Sequence, residues 1–192
     1  GGFYATHIRN EGDKLEDALT EAIEISRLSG VRLQVSHLKT SGSRNWYKVK
    51  NIKTIIDRAV DEGIDITCDR YPYIAAATDL DVILPNWVYE GGIADQINRL
   101  KDTNTRQQIA KEVSQSEDNG FWNGIMISSV YYDKNKWMEG KTITEISKEL
   151  NKPPIETVFD LLIEEETRVD IFLFSMCEEN LEKILGWDFV FV

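Results

Sequence analysis

Cysteine is nearly missing from this chain: two among 192 residues, Cys68 and Cys177, too far apart for a C-x-x-C pair and too few for a disulfide framework. Both are expected as packed core thiols in a reducing, cytoplasmic setting. Histidine is equally scarce, at two, and proline stands at four. Long hydrophobic runs are missing too. The longest apolar stretch near the end, Ile171 to Phe174, is far too short to span a bilayer, and the N-terminus lacks the basic and apolar regions of an export signal. Excess positive charge is absent: 22 Lys and Arg against 33 Asp and Glu leave a net charge of −11. A scattered minority of cations repels phosphates, which argues against nucleic acid or an anionic membrane as partner. No Gly-rich phosphate loop, repeat or low-complexity tract occurs, so nucleotide chemistry has no foothold.

What is present is enough for one sizeable core, with 42% hydrophobic side chains and 10% aromatics. The spacing predicts a short strand from Gly2 to His7. A D-x-x-E capping signal at Asp13 and Glu16 then opens a helix carrying Leu15, Ala18, Leu19, Ala22, Ile23 and Leu28, which Gly30 ends. Val31 to Val35 reads as a strand running into Ser36-His37. Val49, Ile52, Ile55, Ile56, Ala59 and Val60 mark a second amphipathic helix closed by Gly63, and Ile64 to Cys68 a third strand. Strands and helices in this alternation signify βα units on a parallel sheet.

From Leu84 the rhythm breaks. Helices are expected at Ile93 to Lys101, Arg106 to Gln115, Ile143 to Leu150 and from Pro153-Pro154 through Glu165, with a strand at Ile125 to Tyr131. The tail reads as strand from Asp170 to Met176, helix from Glu178 to Leu185 and strand from Trp187 to Val192. Residues 86–140, turn-rich and Trp-containing, look like a small inserted subdomain or a long excursion.

The candidate chemistry starts from the two histidines. His7 and His37 each follow a predicted strand, one βα unit apart, and neutral imidazoles gathered at strand C-termini are good zinc ligands. Alternation raises a difficulty. It puts His37 on the face of Val31, Leu33 and Val35, so His37 reaches the face opposite the helices only if the strand ends or bulges before it. Arg9 and Glu11 read as a local charge pair, and Trp46 and Trp87 as loop anchors.

Five words, in this order, resemble the D-aminoacylase (N-acyl-D-amino-acid deacylase) family of the amidohydrolase superfamily: Gly1-Gly2-Phe3-Tyr4-Ala5-Thr6-His7-Ile8-Arg9-Asn10-Glu11-Gly12; Ser36-His37-Leu38-Lys39; Asp69-Arg70-Tyr71-Pro72-Tyr73; Leu84-Pro85-Asn86-Trp87 with Gly91-Gly92; and Phe174-Ser175-Met176-Cys177-Glu178-Glu179-Asn180. The resemblance spans essentially the whole chain. It implies an α/β fold of the partial (β/α)8 TIM-barrel type, with residues 1–192 forming part of a metal-dependent hydrolase. His7 and His37 are then zinc ligands. Lys39 and Tyr71 hold the substrate, the ammonium meeting a carboxylate and the phenol lying near the scissile amide. Cys68 matches no ligand position, Asp69 lies beside the substrate tyrosine, and Tyr73 and Thr78 are secondary pocket candidates.

The implied activity is zinc-dependent hydrolysis of an N-acyl-D-amino acid, a small molecule, to a D-amino acid and a carboxylate. Alternatives are a dihydroorotase-like or D-dipeptidase reaction, or a non-catalytic binding or assembly module. The family also needs an early His-x-His, a bridging ligand and a general-base Asp. These are expected outside the chain, the Asp beyond Val192, so no catalytic residue is assigned here and the chain alone is expected to be inactive. A closed barrel takes about 250 residues and eight strands. Open barrel edges are therefore expected to favour a homo-oligomer.

Overall fold

The computed structural model describes residues 2–116 and 120–192. The chain divides into two compact units, one made of Gly1–Ile74 with Ser175–Val192 and the other of Ala75–Phe174.

In the first unit, β1 (Phe3–Thr6), β2 (Arg32–Val35), β3 (Ile66–Asp69) and β7 (Val190–Phe191) form a sheet in the order β1-β2-β3-β7. Every pairing in it is parallel. The crossovers are α1 (Leu15–Ser29) between β1 and β2, and α2 (Val49–Asp61) between β2 and β3, as the alternation predicted. One sheet face is apolar. Leu33, Val35, Ile66 and Cys68 pack there with Leu15, Leu19 and Ile23 of α1, Ile52 and Ile56 of α2 and Ile184 of α7 (Glu178–Leu185). Burying a side chain of this size stabilises by about 1.5–3 kcal/mol, so this layer drives the unit's folding. The register pairs Phe3 with Arg32, Ala5 with Gln34 and Gln34 with Thr67, which puts the more polar set on the opposite face together with Asp69.

Several local expectations are corrected. The capping signal at Asp13 and Glu16 does not operate: α1 starts after Lys14 with no side-chain cap, because Asp13 is drawn into an ion pair with Arg44 and accepts a hydrogen bond from Asn45. Leu28 and Val60, counted into the apolar stripes, are exposed. Gly30 does close α1, in the left-handed conformation at φ 69° that a side chain would resist. The last strand is only Val190–Phe191, since turns from Trp187 to Ile184 and from Val190 to Trp187 occupy the residues before it. Cys68 is fully buried, as expected, whereas Cys177 is partly exposed.

The second unit is antiparallel. β4 (Ala75–Asp79), β6 (Val169–Phe174) and β5 (Ile125–Val130) run in the order β4-β6-β5. Four helices accompany them: α3 (Ile93–Lys101), α4 (Thr103–Ser116), α5 (Ile143–Leu150) and α6 (Pro154–Glu164). Their core holds Leu80, Leu100, Ile109, Ile125, Ile127, Ile146, Phe159 and Ile171. The Thr142 side chain and Glu145 form a reciprocal capping box at the start of α5. Glu165 is wholly buried, and its carboxylate accepts from the backbone N–H of Tyr131 (2.7 Å) and Tyr132 (3.0 Å) and from Asn135 Nδ2 (2.6 Å). Of the stretch 86–140, residues 117–119 lie outside the described residues and the rest falls within this unit.

Candidate active site

The polar face of the first sheet ends in a cluster of polar and charged side chains. His7 follows β1 directly, and alternation from Ala5 keeps it on that face. His37 reaches the same place differently. β2 stops at Val35, Ser36 donates its N–H to Thr6 O, and His37 adopts a left-handed backbone at φ 45°. That conformation is uncommon for a residue with a side chain and costs about 1–3 kcal/mol. It also removes the difficulty raised by alternation, because the strand ends before the histidine.

Asp69, at the end of β3, holds this turn. Its Oδ1 accepts the His37 backbone N–H at 2.6 Å, its Oδ2 accepts Gln34 Nε2 at 2.9 Å, and its backbone carbonyl accepts the Leu38 N–H. Gln34 is fixed in turn by the Thr67 hydroxyl, which donates to Gln34 Oε1. Asp69 is therefore a positioning residue for His37.

The outcome is that His7 Nδ1 and His37 Nε2 face each other at 2.5 Å. Two ring nitrogens that close can share a proton, since their lone pairs would otherwise repel, whereas two nitrogens on one tetrahedral zinc with bonds of about 2 Å stand about 3.3 Å apart, so the rings would part by about 1 Å to take the ion. The far nitrogen of His37, Nδ1, lies 2.7 Å from Glu11 Oε1 and 2.7 Å from Lys39 Nζ. Lys39 also forms an ion pair with Glu11. Glu11 was expected to pair with Arg9; Arg9 pairs instead with Glu21 at 2.6 Å, while Glu11 turns inward to the buried cations. Burial works to raise the Glu11 carboxyl, but the His37 hydrogen bond and the Lys39 charge outweigh it and leave it below its ordinary 4.5. Burial lowers the Lys39 ammonium from 10.5, against the pull of Glu11, and only 3% of the residue is exposed.

Tyr71 sits beside this group. Its ring lies 5.6 Å from Lys39 Nζ and 4.3 Å from the Arg70 guanidinium carbon, both within reach of a cation–π contact. Burial raises the Tyr71 hydroxyl, with Arg70 opposing and Glu11 adding to the rise. All four residues singled out in the sequence, His7, His37, Lys39 and Tyr71, are thus brought together. Tyr73 is exposed, and Thr78 lies in β4 of the other unit. Trp46 is an anchor, its indole N–H donating to Ser175 O at 3.0 Å, and Trp87 likewise donates to Glu112.

The donor set suits zinc. Two convergent imidazoles supply two of the four ligands of a tetrahedral site, and a carboxylate on the far nitrogen of one is the usual means of fixing its tautomer. Among the described residues no group of three or more His, Cys, Asp or Glu side chains is gathered for a metal, and the two histidines would supply two ligands at most. Cys68 is no candidate: burial pushes its thiol up to about 12, with Asp69 adding and a backbone hydrogen bond at Val35 opposing, and it belongs to the apolar core. Sequence reasoning missed Glu11 and Arg70 as members of the cluster. Asp69 was accessible in principle, since alternation from Thr67 puts it on the face of His7.

In fold the chain is like the D-aminoacylase amidohydrolases. A solved N-acyl-D-glutamate deacylase from Bordetella bronchiseptica, complexed with zinc and a phosphonate inhibitor that mimics the tetrahedral intermediate, superposes with a TM-score of 0.70 at 22% identity over 99% of this chain and 31% of that one. A D-aminoacylase structure gives 0.66 at 24% identity, with the same two coverages. In sequence the chain is similar to N-acyl-D-glutamate deacylase of Alcaligenes xylosoxydans xylosoxydans, 35% identical over 103 residues, which is 54% of this chain and 19% of the relative. D-aminoacylase of the same organism is 38% identical over 80 residues, covering 42% and 16%. The resemblance to the D-aminoacylase family therefore holds in both comparisons. The chain matches about a third of the length of the solved relatives and under a fifth of the curated ones. No protein-family profile matches it.

Proposed function

We propose that the chain is the part of a zinc-dependent N-acyl-D-amino-acid deacylase that carries two metal ligands and the substrate-holding groups. The observation that carries this reading is the convergence of His7 Nδ1 and His37 Nε2 at 2.5 Å from two adjacent parallel strand ends, with Glu11 behind His37. The first unit is then four strands of a (β/α)8 barrel, and the second an insertion into it.

His7 and His37 hold the zinc. When bound, zinc supplies Lewis-acid polarisation of the acyl carbonyl and makes water nucleophilic near neutral pH. Glu11 and Lys39 both meet His37 Nδ1, and a proton held there by the Glu11 carboxylate would leave Nε2 free to ligate, with Lys39 turned to Glu11 alone. Asp69 keeps the His37 turn in place. The Tyr71 hydroxyl is a hydrogen-bond donor for the oxyanion that forms as the amide carbon becomes tetrahedral. Lys39 screens Glu11 and adds positive charge on the side where a carboxylate binds. On this reading none of the described residues is assigned as general base, and the chain by itself is expected to turn over no substrate.

The test is hydrolysis of matched N-acetyl-D- and N-acetyl-L-amino acids by the chain and by the complete reading frame that carries it, each loaded with zinc. The reading predicts D-selective, chelator-sensitive hydrolysis by the complete protein and none by the chain. Equal rates on both enantiomers, or activity indifferent to chelator, would remove it.

A further inference from the structure

The word Phe174 to Asn180 supplies none of the charged groups around His37, yet it grips the loop that carries Lys39. That loop needs holding. β2 ends at Val35 and the next helical turn begins only at Ser43, so Leu38 to Gly42 belong to no helix or strand. Their backbone is tied at three points: Leu38 N donates to Asp69 O at 2.9 Å, Ser41 N to Glu11 O at 2.8 Å and Gly42 N to Ser175 O at 2.9 Å. Lys39 and Thr40 fall between these ties. Asn180 bridges the gap, its Nδ2 donating to Thr40 Oγ1 at 3.0 Å and to Trp46 O at 2.8 Å. Ser175 adds a carbonyl that also accepts the Trp46 indole N–H, and a hydroxyl that accepts from Ser41 at 2.9 Å.

This network is dry: Lys39, Thr40 and Asn180 are 3%, 2% and 6% exposed. A buried hydrogen bond lost to a wrong arrangement is not replaced by water, so such a network holds one geometry. A lysine stem is long and flexible, and its ammonium is aimed only as well as its backbone is held. We propose that Asn180 is a positioning residue for Lys39: by tying Thr40 to the Trp46 carbonyl, it sets where the ammonium stands against Glu11 and His37. An amide suits the place, because its two N–H donors meet two acceptors, whereas a carboxylate would repel the Trp46 carbonyl. Asn180 is not bonded to the ammonium and acts through Thr40. The proposal rests on the deacylase reading for what Lys39 does to a ligand, and on the hydrogen bonds alone for how Lys39 is held.

The test has two arms. In the chain, nuclear Overhauser contacts between the Lys39 ε-methylene and the His37 Cε1–H should vanish in Asn180→Ala, with folding checked by circular dichroism. Thr40→Val, which removes the acceptor at nearly constant shape, should copy that loss, and Thr40→Ser should restore the contacts; this pair decides if Asn180→Ala does not fold. In the complete protein, the preference in kcat/KM for N-acetyl-D-alanine over N-acetyl-D-alaninamide should fall by about ten- to a hundredfold in Asn180→Ala, the cost of a misplaced binding group. Added to Lys39→Met, Asn180→Ala should lower the preference no further, since it acts through that lysine. Contacts that persist in Asn180→Ala, an equal fall for acid and amide, or a further fall on top of Lys39→Met would overturn the proposal. No hydrolysis of either compound by the complete protein would sink the deacylase reading and leave the first arm to decide the positioning. D-selective hydrolysis with a preference untouched by Asn180→Ala would do the reverse.

Discussion

Replacing Asp69 by alanine removes the one side chain that holds His37 in its left-handed turn. Two hydrogen bonds to a carboxylate are lost, from His37 N at 2.6 Å and Gln34 Nε2 at 2.9 Å. Each is worth about 1.5–3 kcal/mol in general, and Gln34 keeps its contact with Thr67, so its share is the smaller. The backbone at φ 45° is then free to relax, which returns about 1 kcal/mol of strain. The net expected loss is about 3 kcal/mol, a large part of the 5–15 kcal/mol typical of a domain. Urea unfolding followed by far-UV circular dichroism measures it. Asp69→Asn retains the Oδ1 acceptor for His37 N and should cost about 1 kcal/mol. In Asp69→Ala the His37 side chain should also lose its fixed place beside His7, seen as loss of the nuclear Overhauser contacts between the two rings. A loss below about 1 kcal/mol for alanine, or equal losses for alanine and asparagine, would refute the claim that this carboxylate builds the turn.

Other consequences follow from the same packing and charges. Glu165→Ala leaves the part-buried N–H groups of Tyr131 and Tyr132 without their acceptor and Asn135 Nδ2 with Glu164 alone, and should destabilise the chain by about 2 kcal/mol in urea titration; a change under about 0.5 kcal/mol would count against it. Burial works to raise the Asp160 carboxyl, but hydrogen bonds from Lys152 and Arg106 outweigh it and hold it below its ordinary 3.8. A depressed folded value means stability that is present above pH 3.8 and lost as pH falls through the lower folded value, so Asp160→Asn should cost about 0.5 kcal/mol at pH 7 after solvent screening and progressively less as pH falls below 3.8; a pH-independent difference would contradict this. Because burial pushes the Cys68 thiol up to about 12, an aromatic disulfide reagent at pH 8 should titrate Cys177 alone in the native chain and both thiols in denaturant; two fast native thiols would be the wrong result.

The βα half of the chain was legible because its signals are local. Apolar spacing in α1 and α2 and the β-branched run before His37 each lie within one element, and parallel pairing follows from their order. The antiparallel sheet was harder to see. β4 reads Ala-Ala-Ala-Thr-Asp, a composition with little strand preference, and becomes a strand by pairing with β6, whose residues lie more than 90 positions later. The site divides the same way. His7 and His37 stand out as the chain's two histidines at strand ends, but the turn that aims His37 is held by Asp69 from 32 residues away, and histidine's modest enrichment at positive φ is too weak to announce it. Arg70 stayed hidden for a related reason: an arginine in a loop word is ordinarily solvated, and only the fold buries this one.

The central claim is that His7 and His37 act together on one metal ion. Its most direct measurement is a zinc titration of the chain, with the ring Cε1–H resonances of both histidines followed by nuclear magnetic resonance in the wild type and in His37→Ala. The account predicts that both histidines respond along a single binding curve and that the His7 response disappears in His37→Ala. Separate curves for the two rings, or a His7 response that survives His37→Ala unchanged, would contradict it.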